Sequence, residues 1–172
     1  MDDLKTRIFR DFSTLPSPGN NITVPFHGDL ERAAIDAFFH GKRWQDIGLD
    51  DLRNGYKGDE SACLTFMTPQ AFRYYLSAYL LFCLEDFREA RMSNLLPGTI
   101  WWLELDENNR ENAALFFDRF DGYNEAQKRD IALFLKQMSE HHGEDFAEDY
   151  ADLALKRYWS RYLPPYDQKI KP

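Results

Sequence analysis

Five residues in a row, His141-His142-Gly143-Glu144-Asp145, hold the side chains best suited to a metal ion. Imidazole and carboxylate both ligate zinc and similar ions. The order is not HExxH, however, and neighbouring residues on a helix point about 100° apart, so two adjacent histidines rarely share one ion. The reading adopted is a solvated junction between two helices, with no metal and no cofactor. The same stretch opens a run of acids, Glu140, Glu144, Asp145, Glu148, Asp149 and Asp152, with no lysine or arginine among them. Such a run is either a solvated helix face, with acids well placed near a helix start, or a docking patch for a basic partner. Trp101-Trp102, followed by Glu104, Asp106 and Glu107, has the makings of an interface anchor with a charged rim. Its plainer reading is one tryptophan in the core and the other covering it.

Other reactive types are placed less suggestively. Tyr74, Tyr75 and Tyr79 could line a ligand pocket together with Trp44, but they stand in an apolar run that reads as core. Cys63 and Cys83 form no CxxC pair, and Cys83 lies among hydrophobic residues, where a thiol behaves as a small hydrophobe. No GxGxxG, GxxxxGK[ST] or GxSxG motif occurs. The stretch from Lys156 to Tyr162, KRYWSRY, interleaves bases with aromatics. One short basic stretch on a chain of net charge −8 gives little purchase on nucleic acid.

The elements that must position these residues read as helices. Leu4, Ile8 and Phe12 predict a short first helix capped by Asp2 or Asp3. Three prolines between Ser13 and His27 predict a loop. Leu30, Ala33, Ala34, Ala37 and Phe38 follow a helical stripe that Gly41 ends. A short turn of helix near 49–54 comes next. Thr68-Pro69 is the clearest start signal, a hydroxyl cap followed by proline at the first helical position. The helix it opens is expected to run to about Arg91, apolar on nearly every side and therefore central and buried. Pro97-Gly98 reads as a turn. TIWWLEL after it favours extended chain, making at most a small hairpin with CLTFM at 63–67. Ala113, Phe116, Phe117 and Phe120 mark another helix, which Asp121-Gly122 closes. Asn124 with Gln127 marks a capping-box start for the next, and a last helix runs from about Glu144 to the Pro164-Pro165 pair. The expected fold is mainly α: a compact multi-helix domain over 1–163, around the buried central helix, with a flexible tail over 164–172.

The segment LTFMTPQAFRYYLSAYLLFCLEDF resembles a widespread bacterial family of small proteins of unknown function, with a TPxAFxYYLxA[FY]L helix motif. Thr68, Pro69, Ala71, Phe72, Tyr74, Tyr75, Leu76, Ala78, Tyr79 and Leu80 carry the resemblance. Phe120, Tyr123, Asn124, Glu125, Gln127, Ile131, Phe134 and Leu135 follow the family's later segment more loosely. Ser77 stands where the family has proline, and Tyr123-Asn124 where Phe-Thr or Leu-Thr is commoner. The resemblance covers about residues 44–138. It implies a helical fold and a bacterial setting, and it brings no catalytic residue.

Size and composition bound the rest. A chain of 172 residues can bury a core without disulfides or metal. Aromatic residues, at 16%, make that core bulky. From Leu153 onward the chain carries a charge of +4, which leaves −12 for the remainder. This surface repels phosphate backbones and anionic lipid. The longest uncharged apolar stretch, Tyr74 to Leu84, is too short to span a bilayer. Two free thiols and an N-terminus without an apolar signal segment point to the cytoplasm. The expectation is a non-catalytic protein-binding protein, immunity or antitoxin-like, that neutralises a basic protein partner such as a toxin. Its binding residues would be Trp101, Trp102, Asp106, Glu107, Glu144, Glu148 and Asp149. The alternative is an enzyme or small-ligand binder with a pocket near Trp44, Tyr74 and Tyr75.

Overall fold

The computed structural model describes residues 3–26, 28–141 and 146–165, and of residues 141 and 146–149 the backbone alone. The described residues form ten α-helices: α1 Leu4–Phe12, α2 Leu30–Phe39, α3 Leu49–Gly55, α4 Cys63–Phe66, α5 Pro69–Glu85, α6 Phe87–Met92, α7 Leu95–Leu103, α8 Arg110–Phe120, α9 Glu125–His141 and α10 Phe146–Arg157. Among them there is no sheet, only an isolated antiparallel bridge between Thr23 and Met67. The chain divides into two units, one of residues 12–99 and one of residues 1–11 with 100–172; the division falls within α1 and α7.

In the unit of residues 12–99, α5 is buried on every side. Leu76, Tyr79, Leu80 and Cys83 are all fully buried, as an all-round apolar helix requires. Its start is the expected one: Thr68 Oγ1 accepts from the Ala71 N–H at 3.2 Å, and Pro69 fills the first helical position. The tyrosines bring polar tips to backbone carbonyls outside their own helix. Tyr75 donates to Phe39 O and Lys42 O, and Tyr79 donates to Glu60 O. These bonds tie the end of α2 and the turn before α4 to the central helix. Asp36 of α2 accepts from both the backbone N–H and the hydroxyl of Thr23, at 3.0 Å each, and so pins the preceding loop. Gly41 takes a positive φ of 70° where α2 ends.

Three expectations need correction. The central helix ends at Glu85, not near Arg91, because Asp86 leaves helical geometry and its carboxylate caps the separate helix α6 through the Glu89 N–H. The TIWWLEL segment is not extended. It supplies the second half of α7, and CLTFM supplies α4, so the hairpin does not form. The β-branched Thr99 is accommodated in the helix by donating its hydroxyl to Leu95 O at 2.7 Å. Pro97-Gly98 is not a turn between elements but lies inside α7, with Pro97 in the first helical turn, where its missing N–H leaves no bond unmade.

In the other unit, α10 packs on α9 and on the 3₁₀ turn Trp159–Tyr162. Asn124 and Gln127 form the reciprocal cap expected of them, each side chain accepting the other's backbone N–H at 2.9 Å. Trp159 is fully buried and is the hub of an aromatic cluster with Phe116, Phe120, Tyr158 and Tyr162. Tyr158 and Trp159 of the KRYWSRY stretch are thus core, with Tyr158 only 5% exposed, and Tyr162 is half-buried. Among the described residues no helix is long and apolar enough to cross a membrane.

Candidate functional site

A cavity of about 300 Å³ lies where the end of α7, the loop after it, α8 and α10 come together. The end of α7 is fixed from below: the indole N–H of Trp159 donates to Leu103 O at 2.6 Å. That anchor turns the exposed side of the helix outward. Trp101 is 51% exposed, and its ring meets Trp102 edge to face at 4.4 Å. Half of this large aromatic side chain is thus open to solvent beside the cavity.

The loop after α7 is held by its own polar side chains. Asp106 accepts from the Asn108 N–H and from the Asn112 amide, both at 3.1 Å. Asn109 accepts from the N–H groups of Glu111 and Asn112 and so starts α8. Glu104 pairs with Arg157 of α10, and Arg157 also reaches Leu105 O at 3.4 Å. Arg119 of α8 places its guanidinium 4.3 Å from the Trp102 ring centroid and is only 2% exposed. Burial lowers its pKa to about 10, so it still carries its charge at neutral pH.

Trp101, Trp102, Glu104, Asp106, Arg119 and Arg157 all line the cavity, together with Asn112 and Tyr150. It therefore offers aromatic faces, amide groups and charge of both signs in balance. The described residues lining it include no serine, cysteine or histidine. The arrangement suits recognition by stacking and hydrogen bonding.

Of the residues singled out in the sequence, Trp101, Trp102 and Asp106 are brought together here. Glu107 is exposed in the adjoining loop and does not line the cavity. Glu148 and Asp149 lie on α10, immediately before the lining residue Tyr150, with only their backbone described. Glu144, with His142, Gly143 and Asp145 of the metal-like cluster, lies outside the described residues. Among the described residues no group of three His, Cys, Asp or Glu could hold a metal ion. Both cysteines are free and buried, and burial pushes each thiol up to about 12, which leaves no thiolate to act as a nucleophile. Trp44, Tyr74 and Tyr75 are buried as well.

Sequence reasoning missed Arg119, Arg157, Asn112 and Tyr150. One signal was available for Arg119: it stands three residues after Phe116 and next to Phe120, on the apolar side of its helix. A second concavity, in the unit of residues 12–99, lies against Phe26 and Leu30, which are 69% and 86% exposed. Its carboxylates are already engaged, Asp29 in capping α2 and Asp36 with Thr23.

A model of a family of unknown function (DUF6714) matches residues 27–163. No curated protein and no solved structure matches the chain.

Proposed function

Since the chain belongs to that family of unknown function, which supplies no activity to carry over, we propose from the site itself that this is a non-catalytic protein-binding protein. In this reading it takes a basic partner protein against the Trp101 face, in the manner of an immunity or antitoxin protein of the bacterial cytoplasm. The supporting observation is Trp101, half exposed at a cavity that also holds Trp102 and the carboxylates of Glu104 and Asp106. A large aromatic beside a recess is the usual form of a binding hot spot. The cavity's own charges balance, so the attraction for a cationic surface rests on exposed acids such as Glu107 and Glu111, which adjoin it in sequence. Tyr150, which lines the same cavity, directly follows the acids Glu148 and Asp149 in sequence.

The alternative of a ligand pocket near Trp44, Tyr74 and Tyr75 draws less support. Trp44 is 1% exposed, and the Tyr75 hydroxyl already bonds two carbonyls. A small ligand finds a better place in the Trp101 cavity itself, where two guanidiniums converge with two carboxylates.

The test is affinity capture from the source cell by the wild-type protein and by Trp101→Ala, followed by kinetics with the purified partner. The expected result is a basic protein held by the wild type and released at least about thirtyfold faster from the variant, as for loss of a hot spot worth roughly 2 kcal/mol. Its association rate should fall steeply with salt. A partner without a basic surface, or one held equally by Trp101→Ala, refutes the reading.

A further inference from the structure

The charges that line the Trp101 cavity cancel in sum but not one by one. Glu104 and Arg157 are spent on each other. Arg119 is buried in the wall, with its guanidinium against the Trp102 ring. Asp106 is held differently. Its Oδ1 accepts from the Asn108 N–H and its Oδ2 from the Asn112 amide, and both donors are neutral. Among the described residues it makes no ion pair.

Each carboxylate oxygen offers two lone pairs. Both oxygens of Asp106 therefore keep one in hand, and a pair of adjacent acceptors is what a planar guanidinium fork fills. Asn112 gives its Nδ2 to Asp106 and keeps its Oδ1 as a further acceptor. Trp101, half exposed at the same cavity, adds a large π-system for a guanidinium to stack on. The neighbouring ring already makes this kind of contact within the fold, where Arg119 lies 4.3 Å from the Trp102 centroid. An ammonium, as a compact point charge, uses neither the paired acceptors nor the flat ring as fully. An anion is served worse still, because both cations of the cavity are engaged, Arg157 by Glu104 and Arg119 by Trp102. At about 300 Å³ the space is at the small end for a ligand pocket and large enough for one long side chain.

Building on the protein-binding reading above, we propose that the cavity is a receptor for one arginine side chain of the partner protein, its guanidinium paired with Asp106 and stacked on Trp101. The exposed acids outside the cavity bring a basic surface near, and Asp106 fixes one residue of it in place. An arginine anchored beside a tryptophan is a common pairing at the centre of protein interfaces.

The test is a titration of the full chain with N-acetyl-arginine methylamide, followed by NMR at the indole N–H groups of Trp101 and Trp102. The probe should shift them saturably, with a dissociation constant on the order of millimolar, as a single side chain supplies. The corresponding lysine probe should bind at least about threefold more weakly, and the neutral norleucine probe should not saturate. Asp106→Asn should weaken the arginine probe by about tenfold or more, since a charge-assisted pair gives way to a neutral one. Trp101→Ala, read at Trp102, leaves the bonds of the loop in place and should weaken the probe by about threefold or more; it decides the matter if Asp106→Asn fails to fold. No saturable shift in the wild type, undiminished binding by either folded variant, or a lysine or norleucine probe held as tightly overturns the proposal. So does free arginine bound about tenfold tighter than the capped probe, which would mark a free amino acid as the occupant. None of these results needs a captured partner. A source cell that yields no basic protein refutes the protein-binding reading, whereas a partner released faster by Trp101→Ala, with no arginine probe bound, refutes the arginine site alone.

Discussion

Replacing Trp159 with phenylalanine probes the support beneath the candidate site. Trp159 is fully buried, and its indole N–H is bonded at 2.6 Å to the carbonyl of Leu103, the last residue of α7. Phenylalanine keeps a ring against Phe116, Phe120 and Tyr158, so the aromatic cluster loses volume but not its character. The Leu103 carbonyl, on a fully buried residue, is left with no indole donor. That costs about 1–3 kcal/mol. The lost half of the indole leaves a small cavity and adds roughly 1 kcal/mol. The sum is about 2–4 kcal/mol. Urea unfolding followed by circular dichroism measures it. Because Trp101 and Trp102 stand on the helix that this bond anchors, the fluorescence of the exposed Trp101 should also change below the unfolding transition. A stability loss under about 0.5 kcal/mol together with unchanged emission from Trp101 would show that the Leu103 anchor contributes nothing, and the account of how α7 presents its tryptophans would be wrong.

Other outcomes are expected on the same grounds. Leu80→Ala, at a fully buried position of α5, should cost on the order of 2–5 kcal/mol, read as a lower denaturation midpoint; an unchanged midpoint removes α5 from the centre of its unit. The purified protein should carry no stoichiometric zinc by elemental analysis, and the double change His141→Ala with His142→Ala should leave folding intact; one equivalent of zinc that the double variant loses would reverse this. Changing Glu144, Glu148 and Asp149 together to lysine should slow association with a basic partner and leave the circular dichroism spectrum unchanged. Binding indifferent to that reversal and to salt would make the acidity a solubility trait alone.

Most helix starts were legible because their chemistry is confined to one turn. Thr68-Pro69 and the Asn124–Gln127 pair each place a side-chain acceptor where a free N–H must be satisfied, whatever the rest of the chain does. The buried run from Leu76 to Cys83 was legible for a similar reason, since an apolar helix on all sides has nowhere to go but inside. The misreading of α7 shows where such reasoning stops. Thr99, Ile100 and the two tryptophans prefer extended chain when considered singly, yet Leu95, Leu96, Ile100 and Leu103 are all fully buried in a helix. Their burial, a property of what packs on them, outweighs a local preference worth a few tenths of a kcal/mol per residue.

The site divides in the same way. Trp101, Trp102 and Asp106 could be singled out because they are neighbours in sequence. Arg119, Arg157 and Tyr150 could not, for they reach the cavity from helices far along the chain, and the Glu104–Arg157 pair joins residues 53 positions apart. Asp130 and Arg7 are still more distant from each other, and nothing about either residue type foretells burial. A charge enters the interior only where folding brings a compensating group to it, and that meeting is a property of the packed helices, written in no short stretch of the chain.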